Sequence, residues 1–590
     1  MTGVVYREGT RYFPYEDAER AHEGEESIVA GLGEELWTDP DFPPGPGSLF
    51  MVTDLVSLRS HGPIRWRRFD VSALDLELKG PIFQGDLGNT YLINALSLLG
   101  RNKDLLQQIV VSLSNAKRGL LTFRFSLEGR WVYLHVDSWL PCRTFGELVF
   151  ARSVNSYLVS FIEKALAKLF GSYEALTHGT VEQALRYFSP TMAVLPLRFE
   201  KELSEDTACD EVWGRLEEGL DCELGEVGCI RTLPDPYGER AQDRKGIELD
   251  QMYEVLGVVV AEAAASLDYD AITVGLVCLR AIQSPEAGGG MFEGRWRAGH
   301  ELWSQFPQIN ATVKEKTDSI IDRIRQVGSS REVESCELFW MQIEDFVDSF
   351  NRLYFVRDYS ILPHYHYQNL HIRTKPMPKA DIHDSSFFEW FQSDNVSAYP
   401  VRYFSIHVIE KSPFSAHVSQ RDSRLRYATA SDPQESYFWS QIDRCNTREA
   451  VLEQSLVHAY AIGLVIFRLE KSHSNFTANS TIHILKVIKV NSNSTALELT
   501  PGFYAIVPIA IGSSSLDLEL SLVICTNTLN IETIHAVEIT PNFSNATDAA
   551  ANIMQEYAAW EWQEDSTFLT IGGLYAEIAN IYDLLQNRKC

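Results

Sequence analysis

Apolar positions recur along this chain with two different periods, and the switch between them divides it into parts. After a glycine-containing turn that begins at Pro81, the run TYLINALSLLG (90–100) has helical spacing and predicts the start of a buried helix. Alternation in LTFRFSL (121–127) and WVYLHVD (131–137) predicts strands. SYLVSFIEKALAKLFGSYEAL (156–176) returns to helical spacing and meets a glycine, so a long amphipathic helix is expected there. Between Glu200 and Glu226 acidic residues crowd around Trp213 and Leu216, which reads as the exposed face of a helix. Strand patterns come back in YEVLGVVV (253–260) and AITVGLVCLR (271–280), and FWMQIEDFVDSFNRLYF (339–355) alternates and then turns helical.

Beyond about Arg357 the texture changes to short β-rich runs separated by turn-type residues: YFSIHVIE, GLVIFRLE, TIHILKVIKV, YAIVPIAIG and LELSLVICT. That is the pattern of a β-sandwich. The last stretch, from about Asp548, reads as two helices around the Gly572-Gly573 break. Near the other end, DPDFPPGPGSL (39–49) is too rich in Pro and Gly for regular structure and predicts an extended connector. There is no internal repeat and no low-complexity tract.

At 590 residues the chain has room for three or four domains, and 45% hydrophobic with 22% charged residues is the composition of folded globular domains. Its 80 acidic against 52 basic side chains give a net charge of −28, so its average surface repels phosphate backbones and nucleic acid is not an expected partner. The first residues have no signal-peptide core and no stretch has the length and apolarity of a membrane span, so a cytoplasmic location is expected. Thr2 rules out myristoylation, and Cys590 in NRKC lies outside a prenylation box. The nine cysteines show no zinc spacing and are expected to be reduced and mostly buried. Sequons at Asn475, Asn479 and Asn542 read as ordinary polar loop sequence.

The helix start QGDLGNTYLINALSLL (84–99) resembles the calpain cysteine-protease signature, in which a Gln-Gly-x-Leu-Gly-Asp-Cys-Trp run sets the nucleophile at a helix N-terminus. Supporting matches follow in order. TFRFSLEGRWVYLHVDSWLPC, FGELVFARS and EKALAKLFGSYEAL match the first core half, and EVWGRLEEGL, LRAIQSPEAGGGMFEGRW and ELFWMQIEDFVDSFNRL the second. ELTPGFYAIVP matches a strand of the sandwich, so the resemblance runs from about residue 35 to 526. It implies an α+β fold: a papain-like two-part calpain protease core, then an antiparallel β-sandwich and a short helical C-terminal tail. The expected boundaries are an N-terminal extension at 1–48, core halves at 49–198 and 199–356, a sandwich at 357–530 and a tail at 531–590.

Carried over residue by residue, the resemblance places the oxyanion donor at Gln84, which is present, and the nucleophile at Thr90. A helix N-terminus steadies a thiolate, but a threonine hydroxyl, with a pKa far above neutrality, cannot take that role. Asn89 replaces the preceding Asp. The general base falls at Gln251, an amide that accepts no proton, and the Asn that would orient it falls at Ala281. With nucleophile, base and orienter replaced, an oxyanion donor alone leaves no useful proteolysis. No cofactor is expected. The resemblance implies calcium-binding acidic side chains in the core, but an ungapped reading puts Gln183 at one glutamate position, with Glu182 beside it. Glu182 takes that position if the reading slips by one residue, but no acidic loop is found in SPFSAHVSQRDSRLRYATASDPQES and no EF-hand loop anywhere, so calcium regulation is doubtful.

Other residues have ordinary readings. Thr90 is expected to cap its own helix backbone, His178 and His300 to be surface or loop histidines, and Cys142 to be a small buried residue. Trp296, Trp303 and Trp340 are expected in the core. Arg65-Trp66-Arg67-Arg68 forms a local basic patch for an acidic partner, and Trp560 and Trp562 in the appended tail are either anchors for a partner or packing against the sandwich. The expectation is a non-proteolytic calpain-like protein with a structural or scaffolding role, and the resemblance, not any spacing, is what implies cytoskeletal or axonemal partners in the cytoskeleton, cilium or flagellum. The alternatives are an altered hydrolase using Thr90 and a calcium- or phospholipid-responsive module. Its oligomeric state is not readable from the sequence.

Overall fold

The alternation in LTFRFSL and WVYLHVD resolves, in the computed structural model, into antiparallel strands Leu120–Leu127 and Arg130–Asp137, joined at one edge by Val110–Ser112. The structure describes residues 14–50, 64–71, 82–99, 103–153, 156–198 without 178, 205–220, 227–232, 252–264, 271–281, 292–326 without 298 and 338–361. Further along it describes 365–374, 397–420 without 401, 461–469, 481–488, 492–512, 518–527 and 531–538, with a few shorter pieces. The chain divides into two compact units, one made of 1–125 with 131–358, the other of 126–130 with 359–590.

In the first unit, the helix Leu158–Phe170 is buried at every one of its 13 residues. The sequence pattern predicts a polar face here; instead the helix carries Lys164 and Lys168 into the interior, where buried carboxylates neutralise them. Lys164 Nζ meets the Asp137 carboxylate and donates to the Trp139 carbonyl at 2.7 Å, and Lys168 Nζ reaches Asp39 at 2.7 Å. Burial pulls the Lys164 pKa down while Asp137 and Asp39 hold it up. Asp39 lies in the predicted connector, and a second contact, Asp39 N to Asp137 Oδ2 at 2.7 Å, pins that Pro/Gly-rich stretch to the strand hairpin. The connector is thus part of the core.

The N-terminal region, outside the family resemblance, also packs onto this half. Tyr15 and Tyr133 exchange backbone hydrogen bonds at 2.9 and 2.8 Å, adding a bridge to the hairpin. Helix Ala18–Gly31 is capped by Asp17, whose side chain accepts from Arg20 N, and it buries Ala21 and Glu25. Glu25 accepts from Ser112 Oγ at 3.0 Å, Asn115 Nδ2 at 2.8 Å and Thr122 Oγ1 at 3.1 Å.

The other half of the unit is a six-stranded antiparallel sheet in the order Met192–Arg198, Phe350–Asp358, Val227–Thr232, Met252–Ala263, Ile272–Ala281, Leu338–Gln342. Helices Glu205–Leu220 and Ile343–Ser349 contribute to one hydrophobic cluster, helix Pro307–Gln326 to another. Helix Glu205–Leu220 turns Val212 and Leu216 inward and leaves Asp210, Glu211, Glu217 and Glu218 exposed. Trp296 and Trp340 are buried in the second cluster and Trp303 packs on it, its ring 4.7 Å from that of Trp296.

The second unit has two antiparallel sheets. One runs Tyr365–Thr374, Leu518–Asn527, Ser412–Gln420, Ser492–Leu499; the other runs Thr481–Ile488, Ala461–Leu469, Gly502–Gly512, Arg402–Val408, Ile531–Glu538. Residues of both sheets share one apolar cluster, including Phe404, Ile406, Phe414, Ala416, Leu464, Tyr504 and Leu522.

Candidate functional site

The loop that opens the helix Thr90–Leu99 is fixed by what surrounds it. Ile82 and Phe83 pair with Ser153 and Arg152, and a Cβ on Gly85 would collide with the Val149 carbonyl oxygen and with Phe150 Cα. Only glycine allows so close an approach of two backbones. Asp86 N donates to the Val149 carbonyl at 2.9 Å, and the Asp86 carboxylate accepts from Arg143 Nη2. Asn89 O accepts the first helical bonds, from Leu92 N at 2.9 Å and Ile93 N at 3.2 Å.

Thr90 and Gln84 meet here. The Thr90 hydroxyl donates to Gln84 Oε1 at 2.9 Å, and Gln84 Nε2 donates to the Leu87 carbonyl at 2.5 Å. A carbonyl can only accept, so the Leu87 contact fixes which end of the amide is which. The oxygen, not an N–H, faces the position of the expected nucleophile. Thr90 also departs from the capping expectation, because its hydroxyl turns to Gln84 instead of to its own helix backbone.

Beneath this loop lies a group that the sequence reading missed. Glu163 is buried; its Oε1 accepts from Asn89 Nδ2 at 2.6 Å and its Oε2 from Ala151 N at 2.9 Å. Burial pushes its pKa up to about 7, against the lowering effect of the bonds from Asn89 and Ala151. An amide at 89 can donate to that carboxylate, whereas an ionised Asp would set two buried negative charges against each other. Asn89 Oδ1 itself is buried and unpartnered. The available signal was a carboxylate on the same helical run as Phe161, Ile162, Leu166 and Leu169.

In the second half, Ala281 ends the strand Ile272–Ala281 and lies across from Tyr253 on the strand Met252–Ala263. Gln251 falls just before that strand and outside the described residues. Next along, Arg280 and Glu254 form a cross-strand ion pair at 2.8 Å, with both side chains nearly buried.

The remaining candidates separate. Gln183 completes a capping box with Thr180, its Oε1 accepting from Thr180 N at 3.1 Å and its N donating to Thr180 Oγ1 at 3.3 Å. Among the described residues, no group of three His, Cys, Asp or Glu could hold a metal ion. Cys142 is buried and its thiol is pushed up by burial. His300 lines a cavity of about 540 Å³ with Arg295, Trp296, Gln342 and Glu344, and its Nδ1 accepts from Leu302 N at 3.3 Å. His178, Trp560 and Trp562 lie outside the described residues.

Strand geometry divides the expected basic patch between two faces. Residues 65–68 form a strand paired with Trp139–Cys142, so alternate side chains point to opposite faces. Arg65 and Arg67 are exposed, whereas Trp66 packs on Tyr173 with Lys164 Nζ 5.7 Å from its ring. Arg68 is tied to the Leu36 carbonyl, Thr38 Oγ1 and Ser138 Oγ.

In class this is an α+β protein with a core of the cysteine-peptidase type. The sequence profile of the calpain family cysteine proteases matches residues 37–357, just over half of the chain. The chain therefore belongs to the calpain family. It is 26% identical over 347 residues to the calpain-type cysteine protease DEK1 of Arabidopsis thaliana, a match covering 56% of this chain and 14% of that protein. It is 26% identical over 341 residues to the calpain-2 catalytic subunit of Rattus norvegicus, covering 56% and 43%. Against the calpain-1 catalytic subunit of Sus scrofa it is 28% identical over 330 residues, covering 54% and 41%. The chain thus spans less than half the length of these relatives. No helix among the described residues is long and apolar enough to cross a membrane.

Proposed function

We propose that this chain is a non-proteolytic calpain-like protein whose role is to bind protein partners as a structural or scaffolding element of the cytoskeleton, cilium or flagellum. The observation that carries the loss of catalysis is the Thr90 to Gln84 contact. The hydroxyl at the nucleophile position donates to an amide oxygen, with Gln251 and Ala281 at the positions of base and orienter. Nothing in that set can take up the proton that an attacking hydroxyl must release. The relatives bear protease names, so the departure lies at the site and not in the family.

The same reading extends to a cytoplasmic location, to a calpain-type β-sandwich at 357–530 and to the absence of any cofactor requirement, calcium included. What supports it is a first unit whose core packs around the fully buried helix Leu158–Phe170 while a threonine occupies position 90. Salt extraction of native cells followed by lysine cross-linking tests it. Retention in the insoluble cytoskeletal fraction with a fixed set of cross-linked neighbours is the expected result. Full release as a monomer, or cleavage of peptide substrates lost in Thr90→Ala, sinks it.

A further inference from the structure

Phe145 is 98% exposed, far beyond any other large apolar side chain among the described residues, where the next is Val260 at 50%. It sits at the tip of the turn that follows the strand Trp139–Cys142. Gly146 N donates to the Arg143 carbonyl at 2.9 Å and Arg143 N to the Glu147 carbonyl at 2.8 Å, while Cys142 and Leu148 bridge below. Gly146 has φ +91°, a left-handed conformation suited to glycine, and a Cβ there would strike Arg67 Nη1. The turn therefore explains its glycine. It does not explain its phenylalanine, because a turn of this kind accepts most residues at that position and polar ones serve solubility better.

The surroundings of the tip are basic. Arg67 lies against Gly146, and Arg65, opposite Cys142 in the strand pair, is exposed on the same face as Arg67. Arg143, 44% exposed, forms the base of the turn and is held by Asp86, so its position is set by the loop that leads to Thr90. A bare aromatic ring flanked by arginines is the composition of an interface anchor. On a chain of net charge −28 it is a local inversion of sign.

We propose that the Phe145 turn, with Arg65 and Arg67, is a docking surface for an acidic segment of a partner protein that carries large apolar side chains among its carboxylates. The ring packs against those apolar side chains and the guanidiniums meet the carboxylates. Charge complementarity selects the acidic partner. A short-range protein contact is favoured over an anionic membrane, because a wide charged plane would also feel the rest of this acidic chain, whereas contact at the tip is screened from it beyond about 8 Å. This rests on the scaffolding reading only in requiring a protein partner.

The test uses the full chain and three defined probes: a glutamate-rich peptide with a central Leu-Trp pair, the same peptide with Gln for Glu, and phosphatidylserine-containing vesicles. The expected result is binding of the acidic peptide that weakens at least about tenfold in Phe145→Ser, in Arg67→Glu and with the Gln peptide, at unchanged melting temperature. Undiminished binding by Phe145→Ser, no binding of the acidic peptide, preference for vesicles, or self-association abolished by Phe145→Ser would each overturn it. In cell fractionation, retention of both the wild type and Phe145→Ser removes this surface and leaves the scaffolding role. Release of the wild type removes the scaffolding role and leaves the peptide result standing.

Discussion

The Thr90 hydroxyl donates to Gln84 Oε1 at 2.9 Å while Gln84 Nε2 donates back to the Leu87 carbonyl, so the two residues close the loop upon itself. The position expected to attack a substrate is spent on holding the residue expected to stabilise the product of that attack. Thr90→Cys should place a thiol at the start of a ten-residue helix, where its pKa falls. It should be alkylated by iodoacetamide faster than the buried native Cys142, Cys209, Cys278 and Cys525. It should still not cleave a fluorogenic peptide, because no base has been supplied. Adding Gln251→His and Ala281→Asn should raise turnover by at least about a hundredfold over Thr90→Cys alone. Peptidase activity in the single variant would contradict the assignment of position 251.

Glu163 gives the folded protein a pH signature. Its pKa of about 7 lies above the ordinary 4.5, so the folded state holds the proton more tightly than the unfolded chain. Its contribution to stability is fully present below pH 4.5 and is lost as pH rises to 7, amounting to about 3 kcal/mol over that window. His135 works in the opposite sense. Burial, then Lys168, lowers its pKa from 6.5 to about 4, so its contribution is lost as pH falls through that range. Comparing wild type with Glu163→Gln cancels His135, which both carry. The melting temperature of Glu163→Gln relative to wild type should climb between pH 4.5 and 7 and then level off; a flat difference would show that Glu163 stays ionised.

Lys164→Met should destabilise the first unit by about 3–5 kcal/mol, since it leaves Asp137 as a buried charge that has lost its partner. Lys411→Met, which breaks a pair with Glu498 exposed on both sides, should change stability by no more than about 1 kcal/mol. Denaturant melts of the two variants make the comparison. Equal effects would mean that the Lys164 environment is wetter than its zero exposure indicates.

Glu25→Ala should loosen the N-terminal helix, because three donors, Ser112, Asn115 and Thr122, then lose their acceptor. The cost is on the order of 2–3 kcal/mol. Limited proteolysis is expected to cut within residues 18–31 of the variant while the rest of the first unit resists. Unchanged protection would assign the docking of this helix to Tyr15 and Ala21 instead.

Much of the local structure was legible in the sequence because it depends on period. The alternation at 121–127 and 131–137 and the helical spacing at 90–99 and 158–170 report which side chains must leave water, and that decides element type. Family membership was legible for a related reason: the ordered motifs along residues 37–357 carry it without reference to any single reacting residue. The patch at 65–68 could not be divided by face from the sequence, because its four letters carry no face until the strand pairing with Trp139–Cys142 puts Arg65 and Arg67 on one side and Trp66 and Arg68 on the other.

The sequence by itself determined the residue types at positions 90, 251 and 281, and the motif resemblance is what proposes them as the counterparts of the family's nucleophile, base and orienter. Only the tertiary structure decided that Gln84 turns its oxygen to Thr90, that Glu163 reaches Asn89 across 74 positions and that Lys168 reaches Asp39 across 129. It also left Phe145 in solvent. A charge in an apolar run costs little or much according to what folding brings beside it, and that partner lies too far along the chain for any local pattern to name.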